Sequence, residues 1–184
     1  MPVSPPGFGV YVHWPFCRSK CPYCDFNSHV RDGVDVAAWQ AALIADMRAE
    51  TAVAREEALT SVFFGGGTPS LMPPALVAAL LAEAERLWGF DPAIEITLEA
   101  NPSSVEAANF AALAGAGVNR VSLGVQSLDD AELRFLGRLH GADEALAALA
   151  QSHPGPTAAL TADQPASAKE DSAMTAPVRT PGIV

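Results

Sequence analysis

The sequence is short of basic residues. It has 11 Lys and Arg against 21 Asp and Glu, which gives a net charge of −10. This deficit excludes a broad phosphate-binding face, so we expect no nucleic-acid partner. Apolar runs of transmembrane length are also absent, and the first residues do not have the pattern of a signal peptide. These absences favour a cytoplasmic protein without a membrane span.

Cysteine is scarce as well. The chain has only three, Cys17, Cys21 and Cys24, and all of them lie within eight residues. An odd number confined to one short segment argues against a disulfide framework. The clustering favours one shared ligand, so the first functional inference concerns a metal.

Aromatic residues are absent from the last 34 positions. Residues 151 to 184 include five Pro, seven Ala, four Thr, three Ser and two Gly, and such a composition cannot supply a hydrophobic core. Residues 1 to 150 contain every Phe, Trp and Tyr. We therefore expect a folded domain over residues 1–150 and a low-complexity tail over residues 151–184 that is disordered or out of frame.

Within residues 1–150, short β-branched or aromatic runs alternate with helical stripes, a pattern typical of parallel βα units. Strands are predicted over residues 9–14, 61–64, 94–98 and 120–125. The apolar stripes of the intervening helices contain Val36, Trp39, Leu43 and Met47, then Leu76, Leu80, Ala84 and Leu87, then Phe110 and Leu113, then Leu133 and Leu136, and finally Leu146 and Leu149. The sequence thus predicts about four βα units.

Local signals mark two of the helices. Pro73 and Pro74 suit the start of the second helix, and Gly89 suits its end. Ser103 and Glu106 have the spacing of a capping box and predict the start of the third helix.

Polar or glycine-rich segments follow the predicted strands. The cysteines follow the first strand, Gly65-Gly66-Gly67-Thr68 the second, Glu99-Ala100-Asn101 the third and Gln126 the fourth. Ligands of parallel α/β folds bind beyond the carboxyl ends of the strands, so these features should face one site. Glycines allow close backbone approach and can offer N–H groups to a carboxylate. A tight turn and ordinary surface polarity are alternative interpretations.

The three cysteines have the spacing Cys-x3-Cys-x2-Cys. Three thiolates on one loop can hold an iron–sulfur cluster and leave one metal position open. A structural zinc site completed by His13 or His29 is an alternative, because structural zinc takes four protein ligands. Buried free thiols are disfavoured, since the loop also contains Arg18, Ser19, Lys20 and Asp25.

The cysteine motif, with an aromatic residue before the third cysteine, resembles that of the radical S-adenosylmethionine (SAM) enzymes. The resemblance covers about residues 8–149 and includes the segments Tyr11-Val12-His13-Trp14-Pro15-Phe16-Cys17, Phe63-Phe64-Gly65-Gly66-Gly67-Thr68-Pro69-Ser70, Glu99-Ala100-Asn101-Pro102 and Gly124-Val125-Gln126-Ser127. It implies an α/β fold, the N-terminal part of a TIM-like (β/α)6 barrel that is open on one side.

The resemblance also implies cofactors and their binding residues. Cys17, Cys21 and Cys24 would hold a [4Fe-4S] cluster whose fourth iron binds SAM. The residues implied around the cluster and SAM are Tyr11, Tyr23, Gly66, Gly67, Thr68, Glu99, Gln126 and Arg138.

These segments resemble one subfamily, which contains the oxygen-independent coproporphyrinogen III oxidases and the HemW-type heme chaperones. The oxidases resemble Cys-x3-Cys-x2-Cys-x-Cys, whereas Phe26 stands at the last position here. The resemblance therefore implies heme as cargo, a heme-acceptor protein and a reductant protein for the cluster. The alternatives are a coproporphyrinogen oxidase and, from another class, a zinc module or a non-functional fragment, and the sequence leaves open whether the chain is an enzyme.

The end of the sequence departs from the family. Members continue through further βα units and a C-terminal domain, whereas this chain changes composition after Ala150. We expect that a truncation or frameshift removes later strands and the heme ligands, and that activity is reduced accordingly.

Overall fold

The computed structural model describes residues 7–31, 33–52, 57–151 and 159–160. The strands are β1 (Gly9–Trp14), β2 (Phe16–Cys17), β3 (His29–Val30), β4 (Leu59–Gly66), β5 (Phe90–Ala100), β6 (Arg120–Leu123) and β7 (Ala159–Leu160). The α-helices are α1 (Val36–Glu50), α2 (Pro74–Trp88), α3 (Ser104–Ala107), α4 (Phe110–Gly115), α5 (Asp130–Phe135) and α6 (Ala142–Gln151), and a 3-10 turn covers Pro69–Leu71.

One five-stranded sheet organises the described residues. Its strand order is β1-β4-β5-β6-β7, and every neighbouring pair is parallel. β2 and β3 form a separate parallel pair beside it. Because parallel neighbours need crossover connections, the helices lie between successive strands of the main sheet. The predicted α/β fold with a parallel sheet is confirmed.

The two faces of the sheet differ in character. On one face, Val12, Phe64 and Leu98 are 3%, 0% and 0% exposed, and they form one hydrophobic cluster with the buried side chains of the helices. Strand side chains alternate between the faces, so Tyr11 and Phe63, which are paired in register, lie on the other face. Their rings stack at 5.9 Å. This second face becomes the interior when such a sheet curves into a barrel.

Two predicted helices match the structure closely. Leu43 and Met47 of α1 are buried, and Trp39 packs against the same core. α2 begins at Pro74, and Gly89 ends it with a φ of 73°, a left-handed conformation that glycine adopts without a steric penalty. In the described part of the chain, no helix is both long and apolar enough to cross a membrane.

Other predicted elements differ. The third helix is interrupted between α3 and α4, although Ser103 does accept a hydrogen bond from the backbone N–H of Glu106 at 3.4 Å. Leu146 was predicted on the buried face of α6 but is 52% exposed, because Ala145 and Ala148 occupy that face instead. The small side chains of Ala145 and Ala148 let α6 pack closely against the rest of the fold. The stripe of larger apolar residues therefore does not identify the buried face of this helix.

The tail contributes one element that its composition does not predict. The backbone of Ala159 and Leu160 pairs in parallel with Ser122 and Leu123 of β6. Such pairing uses only main-chain groups at an open sheet edge, so side-chain composition carries little information about it. Ser152 to Ala158 and residues 161–184 lie outside the described residues, and the disordered or out-of-frame tail stays a prediction there.

Candidate functional site

A cavity of about 1040 Å³ lies at the carboxyl ends of β1, β4, β5 and β6. This volume is sufficient for a small organic ligand with additional room. Ten of the eleven predicted site residues line it, namely Cys17, Cys21, Cys24, Tyr23, Gly66, Gly67, Thr68, Glu99, Gln126 and Arg138. Tyr11 is the exception and lies on the strand leading to the cavity. The topology therefore brings together segments that are more than 100 residues apart in sequence.

The segment from Cys17 to Asp25, here called the cysteine loop, forms one wall of the cavity. All three thiols are free and partly exposed. The backbone N–H of Cys24 donates to the carbonyl of Cys21 at 3.0 Å, which makes a tight turn between them. The loop contacts the opposite wall through Arg138, whose Nη1 lies 3.3 Å from the Cys21 Sγ and 3.3 Å from the Tyr23 hydroxyl. Burial is the largest cause that raises the pKa of Tyr23, so the phenol is neutral at physiological pH.

The run Gly65-Gly66-Gly67-Thr68, here called the glycine loop, lies directly against the cysteine loop. A Cβ at Gly67 would be 2.6 Å from the Phe16 carbonyl oxygen and 3.0 Å from the Cys17 Sγ. Gly66 has a φ of 110°, and a Cβ there would be 2.6 Å from the His13 ring. A side chain at Gly67 would therefore push the two loops apart, and a side chain at Gly66 would clash with β1.

The amide groups of the glycine loop are already engaged. Gly67 N–H donates to the Trp14 carbonyl at 2.7 Å, and Thr68 N–H donates to the Phe16 carbonyl at 2.9 Å. The expectation that this run offers N–H groups to a carboxylate is wrong for these two residues. The physical reason is that the run continues the parallel pairing of β4 with the chain after β1, which consumes those donors.

Glu99 connects the end of β5 to the glycine loop. Its Oε2 accepts a hydrogen bond from the Gly66 N–H at 3.3 Å. The carboxylate also acts on Tyr11, because burial and then the charge of Glu99 raise the pKa of that phenol. A carboxylate at a strand end can accept from the hydroxyl groups of a bound ligand.

Gln126 has a backbone conformation that is rare for its residue type. Its φ of 68° is the one positive value for a non-glycine residue among the described positions. Such conformations persist where the surroundings impose them, and they concentrate at functional sites. The preceding carbonyl, that of Val125, lies 3.1 Å from the Nε2 of the buried His140. Burial lowers the pKa of His140, so its neutral ring supports this turn.

The side chain of Arg138 spans the cavity wall. In addition to Cys21 and Tyr23, its Nη2 donates to the Asn101 Oδ1 at 2.7 Å and to the Gly124 carbonyl at 2.8 Å. Its Nε is buried and has no hydrogen-bond partner among the described residues. A buried donor in this state is costly, and an acceptor on a bound ligand would satisfy it. This observation fits a carboxylate-bearing ligand such as SAM.

A structural zinc site fits the geometry less well than an iron–sulfur cluster does. Over residues 7–31, 33–52, 57–151 and 159–160, no group of three or more His, Cys, Asp and Glu side chains is arranged to hold a single metal ion. The His13 Nε2 lies 3.0 Å from the Asn27 carbonyl, and His29 is exposed in β3. A cluster places its thiolates on different irons, so it does not require the sulfurs to meet at one point. The three thiols around one cavity fit a cluster better.

Sequence reasoning missed three residues at this site. The sequence pattern predicts Asn101 only as part of a strand end and Glu106 only as part of a helix cap, and it predicts no role for His140. Glu106 is 3% exposed and His140 is 5% exposed. Both are polar side chains, and no local pattern in the sequence indicates that the fold buries them.

Comparison with known proteins identifies the family of this chain. The sequence profile of the Radical SAM superfamily matches residues 11–153. A Bos taurus protein named radical S-adenosyl methionine domain-containing protein 1, mitochondrial, is 46% identical over 143 residues, which are 78% of this chain and 32% of that protein. Proteins named heme chaperone HemW from Haemophilus influenzae and Escherichia coli are 43% and 42% identical, over 81% and 78% of this chain and 40% and 38% of their own lengths.

A solved structure shows the same arrangement of strands and helices. Coproporphyrinogen III oxidase (HemN) from Escherichia coli, a radical SAM enzyme, superposes with a TM-score of 0.69 at 26% identity, over 78% of this chain and 33% of that one. This chain therefore spans about a third to two-fifths of the length of these relatives. The superfamily match covers most of the chain, and the cavity stands where the strands end: the chain belongs to the radical SAM superfamily.

Proposed function

We propose that this chain is the cluster- and SAM-binding part of a HemW-type heme chaperone. The observation that carries the proposal is the convergence of three thiols, Glu99, Gln126 and Arg138 on one cavity. The relatives named HemW are 42–43% identical to this chain. Phe26 supports the same branch, because it stands where the oxidase motif has a fourth cysteine and has no atom that binds iron.

Each wall of the cavity has a separate role in this proposal. Cys17, Cys21 and Cys24 would hold a [4Fe-4S] cluster through three thiolates, which would leave one iron open for SAM. When bound, the cluster supplies the electron for reductive cleavage of SAM. Glu99 accepts from ribose hydroxyls, Gln126 donates or accepts toward the ligand, and Arg138 places positive charge beside the carboxylate. The glycine loop keeps a side chain out of the space beside Cys17.

Heme as cargo is supported by the rim of the cavity. Phe26, Phe135 and Leu139 line it and are 55%, 88% and 71% exposed. Exposed apolar side chains grouped at a cavity mouth are typical of binding surfaces, and a porphyrin has two flat apolar faces. The net charge of −10 gives no general attraction for the anionic propionates, so binding depends on this local surface. A heme-acceptor protein, a reductant protein and a cytoplasmic location belong to the same proposal.

The test is a heme-transfer assay on the anaerobically reconstituted chain. We expect hemin to bind with a change in its Soret absorbance, and to move to an apo-hemoprotein in the presence of SAM and a reductant more slowly than from a full-length HemW protein, because the heme ligands are expected beyond this chain. Phe135→Ser should weaken hemin binding. Leu146→Ser is the matched control, because Leu146 is also exposed but does not line the cavity.

A different result would select the alternative function. The HemN structure superposes on this chain with a TM-score of 0.69, so coproporphyrinogen oxidation is the second candidate. Decarboxylation of coproporphyrinogen without hemin binding would overturn the proposed chaperone function. A colourless protein with one zinc per chain would overturn both.

A further inference from the structure

A buried carboxylate, that of Glu106, lines the cavity but is not among the residues proposed to bind the cluster or SAM. Glu106 of α3 is 3% exposed, and in the described part of the chain it forms no ion pair. Its Oε2 accepts from the Asn101 backbone N–H at 2.8 Å and from the Ser70 hydroxyl. Its Oε1 accepts longer hydrogen bonds of 3.4 Å from the Asn101 Nδ2 and the Ser103 hydroxyl.

Burying a charge without a counter-charge is expensive, even when several donors surround it. A neutral amide would be cheaper to bury and would have almost the same shape. The property that only the carboxylate offers is that both of its oxygens are acceptors. Glu106 can therefore face two donors of Asn101 at once, which glutamine cannot do without placing N–H against N–H.

The consequence for Asn101 is a fixed side-chain orientation. With its Nδ2 held toward Glu106 and toward the Thr68 hydroxyl, 3.4 Å from each, its Oδ1 points the other way. That oxygen accepts from the Arg138 Nη2 at 2.7 Å. Asn101 thus lies between a group that only accepts and a group that only donates, and one orientation of the amide satisfies both.

We propose that Glu106 is a positioning residue: it fixes the amide of Asn101, which in turn holds Arg138 against Cys21 and Tyr23. The inference rests on the proposed cluster and SAM site for its functional meaning. Groups behind the direct ligands of a metal site commonly control ligand orientation, and their loss typically costs 10–100-fold in affinity or activity.

The first measurement uses the metal-free chain and does not depend on the proposed function. The Arg138 Nε–H resonance is assigned in a nitrogen–proton correlation spectrum by its loss in Arg138→Lys. Glu106→Gln should move or broaden this resonance. Ser70→Ala is the matched control, because it removes another hydrogen bond from the same carboxylate and none of those made by Asn101. An unmoved resonance in Glu106→Gln, or an equal change in Ser70→Ala, would overturn the positioning role.

The second measurement uses the reconstituted cluster and SAM. We expect Glu106→Gln to assemble the cluster but to bind SAM about tenfold more weakly, with an altered paramagnetic spectrum of the reduced cluster. Ser70→Ala should bind SAM as the wild type does. Adding Glu106→Gln to Arg138→Lys should weaken SAM binding no further, since both changes act through one guanidinium. Additive losses would contradict the inference, whereas a wild type that assembles no cluster would contradict the proposed function alone.

Discussion

The two walls of the cavity are held in different ways. On the cysteine loop, Arg18, Ser19, Lys20, Pro22 and Asp25 are all exposed. On the opposite wall, the buried Glu106 and His140 line the cavity and form hydrogen bonds with the segments that follow β5 and β6. Exposed segments with few buried contacts have low local stability, whereas buried networks are rigid. The difference indicates that the proposed metal ligands lie on an adaptable segment, and that the buried groups of the proposed SAM site follow the strands of the sheet.

Removing a cysteine should have the largest effect, because it removes one of the three proposed ligands of the cluster. Cys21→Ala removes one of three thiolates and the sulfur nearest Arg138. We expect the variant to lose most of the four irons that reconstitution gives the wild type, measured by iron and sulfide analysis. Ser19→Ala, an exposed change on the same loop, should retain them. A Cys21→Ala protein with a full cluster would contradict the ligand assignment.

Pushing the glycine loop away from the cysteine loop should have the next largest effect. Gly67→Ala places a methyl group 2.6 Å from the Phe16 carbonyl oxygen and 3.0 Å from the Cys17 Sγ. Overpacking of this kind costs about 1–3 kcal/mol, which denaturant unfolding would measure, and the displaced loop should also hold less iron. Gly33→Ala is the control, since nothing lies within 4 Å of a Cβ there. Equal stability of the two variants would show that the loops do not require close contact.

A third change affects neither wall and tests the helical layer alone. Glu83 of α2 accepts from Arg86 and from Arg48 of α1 at 2.6 Å each, and these hydrogen bonds lower the pKa of Glu83 from 4.5 to about 2. A lowered carboxyl pKa stabilises the fold above its unfolded value, and this contribution is lost as pH falls through the folded value.

The Glu83→Gln variant should therefore be less stable than the wild type at neutral pH. The difference should shrink as pH falls from 4.5 toward 2, as measured by thermal unfolding across that range. Iron content after reconstitution should be unchanged, because Glu83 does not line the cavity. A difference in stability that is independent of pH would mean that the ion pairs are not its cause.

We expect the smallest effect from His140, which forms a hydrogen bond with the Val125 carbonyl in the turn after β6. Burial lowers the pKa of His140 below its ordinary value of 6.5, so the folded chain favours the neutral ring. Stability is then full above pH 6.5 and declines as pH falls below that value toward the lowered pKa. His140→Gln keeps a donor for the Val125 carbonyl but does not titrate, so it should lack this part of the decline in urea unfolding. An identical decline in both proteins would exclude His140 as its source.

Much of the fold was predictable from short-range patterns. β1 was predicted at residues 9–14 and lies at Gly9–Trp14, because its apolar and β-branched residues are bounded by clear breaks. α2 was equally clear, since proline starts it and glycine ends it. The exposed Leu146 and the pairing of β7 were not predictable, because both depend on which surface or edge happens to be available in three dimensions.

The site residues also divide into those that short-range patterns predict and those that only the structure reveals. The cysteine spacing and the polar strand ends indicated eight of the predicted site residues that line the cavity, because the parallel topology places those ends together, and the family resemblance added Tyr23 and Arg138. Asn101 and Glu106 act through hydrogen bonds between segments, and the strained turn at Gln126 depends on a histidine 14 residues further along the chain. No spacing rule connects such residues, so a structure is needed to find them.

We infer that one cavity holds a cluster with an open iron and binds SAM beside it. The most direct test is titration of SAM into the reduced, anaerobically reconstituted chain, followed by electron paramagnetic resonance. We predict a brown protein with four irons per chain and a cluster spectrum that changes on addition of SAM, with the change reduced in Arg138→Lys. A cluster whose spectrum is insensitive to SAM, or a colourless protein with a single zinc, would contradict the account.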